Sequence, residues 1–390
     1  QGDIGYEAKF WILGKTGAPE IVASAKRSMM EAAAGWSDLP GAFTRFERYC
    51  DWIETARGGV RRGVPARRTD GDDAPAEATP RPAPLPDETA RVFWSRHAAD
   101  MARLVWTPLK ASGRLDGARR VLLATAGPLH NLPFEAGMAK AGLGHLELVQ
   151  VNSLAVFALT RGLYRPEGAP APQAGAAQPV PQTPPAAPEA VAALSGTDAD
   201  IPLAGFEREV VAGIWAGRLA DPQAVMDGTA YPWQPARAVG FATLSCHGDD
   251  TPGPDGARRT GLSLPLQAGT PNGTETGRLT ERSLVQGPRS GAMLINACVA
   301  GRVYEIFDGD PTGLVSGALR AGNRTVVAFL APIPDRLGCL FGIAVSWLMA
   351  QRALPLAAAA RQARAVLGAG RSDSELCAAL RRVVGTELAA

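Results

Sequence analysis

The chain has 390 residues, 46% of them hydrophobic, and its 40 lysines and arginines nearly balance 38 acidic residues for a formal net charge of +2. That length can bury a substantial core and suggests two or three domains. The near-neutral balance gives no electrostatic basis for direct nucleic-acid binding or for an anionic membrane surface.

Only Lys9, Lys15, Lys26, Lys110 and Lys140 supply lysine, and alanine, glycine and proline are abundant, which fits a high-GC bacterial coding bias. The first residue is Gln1 rather than methionine, which fits a fragment, a processed product or a tagged chain. There is no secretory pattern, and no apolar run reaches the roughly 20 residues of a membrane-spanning helix. Cys50, Cys246, Cys298, Cys339 and Cys377 form an odd, widely spaced set without a C-x-x-C pair. That argues against a disulfide scaffold and against a zinc site, no cofactor motif is complete, and a reducing cytoplasm is the expected location.

In chain order, residues 1–56 read as a small, mainly helical region, with helical apolar spacing in "IVASAKRSMMEAAAGW" and "AFTRFERYCDWIE". The "GKTG" at 14–17 lacks the glycine five positions upstream that a phosphate loop needs, because Lys9 stands there. Residues 57–90 run from basic to acidic to proline-rich with little to bury, as a flexible linker does. Residues 91–390 form the main domain, interrupted at 165–190 by a proline- and alanine-rich surface insertion.

Within that domain strands and helices alternate. The strands expected are 120–125, 146–151, 191–194, 241–246, 292–298 and 325–330, several of them continuous apolar runs as buried parallel strands are. Helices are expected at 205–219, 311–322, 336–351, 355–370 and 372–384. The pattern is α/β, a mostly parallel sheet covered by helices on both faces. Ligands in such sheets sit beyond the carboxyl ends of the strands.

Two strands end in reactive residues, "FATLSCHG" in His247 and "AMLINACVAG" in Cys298. Side chains alternate faces, so Cys246 points away from His247 and packs into the core. If the two strands are parallel neighbours, Cys298 meets His247 at one rim, in an open groove. A histidine about 50 residues upstream of a Q-A-C-x-G-type motif is a caspase signature, and the corresponding stretch here runs from Asn296 through Ala297, Cys298, Val299 and Ala300 to Gly301. Cys50, Cys339 and Cys377 fall in helices and read as packing residues.

These segments resemble, in order, those of the CHAT domain, a bacterial relative of caspases and separase, over residues 95–388. "GPLHNLPFEAGM" is similar to its early segment, and "PLAGFEREVVAGIWAG" to its proline-leucine-glycine helix start with a buried glutamate. "TLSCHGDD" is similar to its histidine-glycine strand, and "TGLSLPL" with "GRLTERSLV" to its hairpin and following helix. "LINACVAG", "GALRAGNRTVVAFLAPIPD" and "LPLAAAARQARAVL" resemble its cysteine motif, closing strand with aspartate turn, and C-terminal helix.

The resemblance implies a caspase-like fold and a cysteine endopeptidase with Cys298 as nucleophile, His247 as proton carrier, and the backbone N–H groups of Cys298 and Gly248 as oxyanion donors; a third, orienting residue is not evident. Asp335 corresponds to an acid that lines the pocket for the residue before the cut, implying cleavage after arginine or lysine. Its turn departs from the family in having Ala331 for the usual tryptophan, between Pro332 and Pro334 and the closing strand, and Asp335 also fits a cap of the next helix. Asn296 belongs to the same substrate-binding set; Asp249 and Asp250 are alternative pocket acids or solvated loop residues. The partners implied are a protein substrate, a pore-forming protein among the candidates, and a regulatory activator, in antiviral defence or programmed cell death. Arginines in the 57–90 linker invite self-cleavage. The alternative is a catalytically silent interaction module on the same fold.

Overall fold

The computed structural model describes residues 11–12, 20–21, 98–99, 101–125, 130–131, 133–151, 188, 190–196, 201–219, 239–252, 258–264, 279–285, 290–306, 310–330, 333–369 and 373–384. The linker expected at 57–90, nearly all of the insertion expected at 165–190, the helices expected within 1–56, Cys50, and Ala331 with Pro332 lie outside them. Among the first 56 residues, Trp11–Ile12 (β1) pairs antiparallel with Glu20–Ile21 (β2).

The described residues fall into two compact units. The first takes β1, β2 and those within Pro82–Leu123 and Leu132–Val149. Here a helical stretch, Ala102–Trp106, runs into α1 (Thr107–Ala111), with Pro108 in the first turn where no N–H partner is needed. Strand β3 (Arg120–Ala124) and β4 (Glu147–Val151) pair, braced by an Arg120–Glu147 ion pair at 2.7 Å. Between them in sequence lies α2 (Phe134–Met138), and the indole N–H of Trp106 donates to the Phe134 carbonyl at 2.7 Å.

The second unit takes the described residues within Ala124–Asn131 and Gln150–Ala390. Its elements are β5 (Val191–Ser195), α3 (Pro202–Ile214), β6 (Val239–Ser245), β7 (Gly248–Pro252), β8 (Arg258–Leu262), α4 (Glu281–Val285), β9 (Ser290–Asn296), β10 (Tyr304–Ile306) and β11 (Asp310–Thr312). They are followed by α5 (Leu314–Arg320), β12 (Thr325–Ala328), α6 (Asp335–Arg352), α7 (Leu356–Ala369) and α8 (Ser374–Val384). A four-stranded sheet in the order β12-β9-β6-β5 is parallel throughout.

Both faces of this sheet are buried, which is why its strands read as unbroken apolar runs. Ala242, Leu244 and Cys246 of β6 and its extension join Met293, Ile295 and Ala297 in one core, with Leu284 of α4 and Leu314 and Ala318 of α5. Phe241 and Leu294 face the other core, built with Val211 of α3, Phe341, Ile343 and Leu348 of α6, Ala359 of α7 and Leu376 of α8. The expected α/β architecture, a parallel sheet between helical layers, is the one observed.

Several boundaries differ from expectation. Helix α3 starts at Pro202, whose fixed φ suits the first turn, and ends at Ile214, so that Leu219 can bridge to Val191. Helix α5 begins only at Leu314, because Asp310–Thr312 pairs with β10 and Gly313 breaks the chain direction at φ 130°. Strand β9 stops at Asn296, two residues short of Cys298. No helix among the described residues is long and apolar enough to cross a membrane.

Asp373 locks the helical layer together. Its Oδ1 accepts the Leu376 N–H at 3.0 Å, capping α8, and both oxygens take the Arg352 guanidinium at 2.7 and 2.9 Å. Gln362 of α7 donates to Oδ2 at 2.7 Å. The Arg352 hydrogen bonds, then the Leu376 N–H, hold the Asp373 carboxyl well below the ordinary carboxylate range. A lowered folded-state value makes this contribution complete above about pH 4 and lost as pH falls below it. Asp373→Asn should therefore lower the thermal midpoint at pH 7 by the equivalent of about 1–3 kcal/mol. Its deficit against wild type should narrow as pH drops from about 4 toward 2 in calorimetry; a deficit constant with pH would contradict the arrangement.

Candidate active site

The pairing of β6 with β9 sets Phe241 opposite Ala292, Leu244 opposite Ile295 and Ser245 opposite Asn296. Carried two residues further, the same register brings His247 level with Cys298 beyond the carboxyl ends of the two strands. The approach is tightest at Gly248. A Cβ built there would collide with the Cys298 carbonyl oxygen and stand 3.1 Å from Ala297 Cβ, so the position requires a residue without one. The next strand holds the other side, Ser263 N–H donating to the His247 carbonyl at 2.9 Å.

Cys246 is fully buried in the core shared with α4 and α5, as expected of a packing residue. Cys339 is likewise a core residue, in the opposite layer. His247 is 1% and Cys298 6% exposed, so the pair is sheltered rather than set in an open groove.

The segment that carries Cys298 is a strained turn. Val299 has φ 52°, a left-handed conformation that a β-branched residue rarely takes and that costs about 1–3 kcal/mol. Clamps on its far side hold the turn in place. Gly301 N–H donates to the Phe329 carbonyl at 2.7 Å, and the Asn131 amide both donates to the Val303 carbonyl (2.8 Å) and accepts its N–H (2.9 Å), much as a neighbouring strand would.

The thiol itself lies against the backbone just before α6. Ile333 N–H donates to Cys298 Sγ at 3.2 Å, and Sγ stands 3.6 Å from the Ile333 carbonyl oxygen, the acceptor for its S–H. The sulfur thus has a backbone donor and a backbone acceptor within reach, two residues before the start of an 18-residue helix.

The remaining sequence-selected residues take other places. Asn296 was expected to bind substrate, but it is 2% exposed and its Nδ2 donates to both Glu207 oxygens (2.8 and 2.7 Å) and to the Gly338 carbonyl (2.8 Å). Its Nδ2 is thus engaged inside the fold, while its Oδ1 is buried without a hydrogen-bond partner among the described residues. Asp335 is the first residue of α6, one position past its N-cap, Pro334. Its Oδ2 accepts the Leu203 N–H at 3.3 Å, satisfying a first-turn donor of α3 instead. Asp249 and Asp250 stand in strand β7, opposite Gly261 and Thr260 of β8, rather than in a loop.

A family model for the CHAT domain matches residues 95–379. The chain belongs to the CHAT-domain family. Membership brings with it the caspase-like protease fold, which accords with the parallel sheet and its two helical layers. No curated protein and no solved structure matches the chain.

Several residues of this CHAT-domain site escaped the sequence. The glutamate buried in "PLAGFERE" was expected, and Glu207 is 2% exposed, but its pairing with Asn296 spans 89 residues of sequence and leaves no local pattern. The Ile333 backbone contact has no side-chain signature at all. The strain at Val299 could not be read from a residue type that normally avoids it.

Gly248→Ala should destabilise the fold by about 1–3 kcal/mol, because its methyl meets backbone rather than a yielding side chain. Gly205→Ala, on α3 with nothing within 4 Å of a built Cβ, should be neutral or stabilise by about 0.4–1 kcal/mol. Equal effects in urea denaturation would contradict the close approach described at Gly248.

Proposed function

We propose that this CHAT-domain chain is a cysteine endopeptidase with Cys298 as nucleophile and His247 as proton carrier. The observation that supports the reading is the register of β6 on β9, which if continued sets the two residues at one level, with the Gly248 backbone close to the Cys298 carbonyl. Sγ attacks the scissile carbonyl carbon, a C–S bond forms, and the π pair moves to oxygen, toward the backbone N–H groups of Cys298 and Gly248 as proposed donors. His247 takes the thiol proton and delivers it to the leaving amine as the C–N bond breaks. Water, deprotonated by the same imidazole, then cleaves the thioester and frees Cys298.

Cleavage after arginine, and less well lysine, is the proposed specificity. Support for this reading is that Asp335 lies two residues beyond Ile333 in the chain, whose N–H meets Sγ. A guanidinium at Asp335 would displace or share the Leu203 N–H. The substrates proposed are a few partner proteins, a pore-forming protein among them, cleaved in the bacterial cytoplasm during antiviral defence or programmed cell death. The arginines of the 57–90 linker are proposed self-cleavage sites.

The burial of Cys298 and His247 also favours a second reading, an interaction module that keeps the fold without the activity. Within the protease reading, the same burial calls for a partner that opens the site.

The two readings separate when a peptide library is digested and the cut sites are read by mass spectrometry. The protease reading expects cuts after arginine that vanish in Cys298→Ala and fall about 10²–10⁴-fold in His247→Ala. Asp335→Ala should remove the arginine preference, whereas an unchanged preference would leave Asp335 a structural residue. An arginyl electrophile that labels wild type no more than Cys298→Ala would support the interaction module.

A further inference from the structure

Beneath the proposed dyad, the apolar layer of α3 and α6 is interrupted by one buried ionisable group, Glu207, 2% exposed. Burying a carboxylate is expensive, and an apolar side chain of similar volume would usually stabilise the layer as well or better. The facing helix has also given ground. A Cβ at Gly342 of α6 would collide with Glu207 Oε1 and stand 2.9 Å from Asn296 Nδ2, and glycine inside a helix is itself unfavourable. Two unfavourable choices facing each other argue for a task other than stability.

The connections suggest the task. Asn296 Nδ2, two residues before Cys298, is shared between the Glu207 carboxylate and the Gly338 carbonyl in the first turn of α6. Gly338 N–H donates to the Pro334 carbonyl at 3.0 Å, and Ile333, next to it, donates to Cys298 Sγ at 3.2 Å. The path from Asn296 through this turn to the thiol is therefore a closed ring of short contacts. We infer that Glu207 is a positioning residue: through Asn296 and the first turn of α6, its carboxylate holds the Ile333 N–H against the Cys298 sulfur. The inference deepens the reading of Cys298 as the reactive thiol and rests on it. It supplies the orienting element that the sequence lacks, directed at the sulfur and not at the imidazole.

The test is the pH dependence of iodoacetamide alkylation at Cys298, followed by peptide mass spectrometry in the full chain, which needs no proteolysis. Glu207→Gln keeps the shape of the side chain and removes its charge. Loss of the Ile333 N–H donor should move the midpoint of Cys298 alkylation up by about one pH unit and slow alkylation at pH 7 about tenfold. Leu376→Ala, a cavity in the same core but on α8, should lower the melting temperature but leave that midpoint in place. Should Glu207→Gln fail to fold, Glu207→Asp, whose shorter arm draws the carboxylate back from Asn296, carries the same expectation. A midpoint that falls would mean that Glu207 acts through its field on the thiolate, and a midpoint unchanged from wild type would leave it a structural residue; either overturns the inference. A midpoint that rises sustains the positioning role whether or not wild type cleaves a peptide, so the inference and the protease reading fail on different results.

Discussion

The parallel pairing of β6 with β9 is the constraint on which the rest of this molecule depends. Two strands in register end at the same height, and the chain beyond each end has to leave the sheet without colliding with the other. Glycine at 248 lets one exit pass over the backbone of the other, and a left-handed Val299 turns the second exit sharply away. Continued past the strand ends, the register sets residues 247 and 298 at one level of the sheet's carboxyl rim, where α/β folds assemble their sites.

Around that meeting point the structure accepts several unfavourable features at once. A β-branched residue sits in a strained conformation, a carboxylate is buried, and a helix glycine makes room for it. Departures of this kind concentrate where function sets the requirement, while the apolar cores on either side of the sheet supply the stability that offsets them. The helical layer is closed at its far end by Asp373, which binds α6, α7 and α8 through Arg352, Gln362 and its own capping of Leu376.

Much of this was legible in the sequence because buried parallel strands leave continuous apolar runs, and β6, β9 and β12 were each recognisable that way. The alternation that separates Cys246 from His247 also followed from strand geometry alone, and the core around Cys246 agrees with it. What the sequence did not disclose is long-range and polar. Asn296 was placed among the substrate contacts, and nothing in the sequence signalled that its Nδ2 meets a glutamate on a distant helix. Asp335 fitted both a pocket acid and a cap for its own helix, and nothing local announced that its Oδ2 serves the first turn of another. A hydrogen bond between elements far apart in the chain has no periodicity to betray it, and a backbone donor such as Ile333 N–H has no residue code.

The central claim is that His247 and Cys298 act as one chemical unit. It is tested most directly by comparing the pH dependence of Cys298 alkylation in wild type and in His247→Gln. The account predicts a thiolate already present well below the ordinary cysteine range of about 8.5 in wild type, with the midpoint returning toward that value when the imidazole is removed. Superimposable profiles for the two proteins would contradict it.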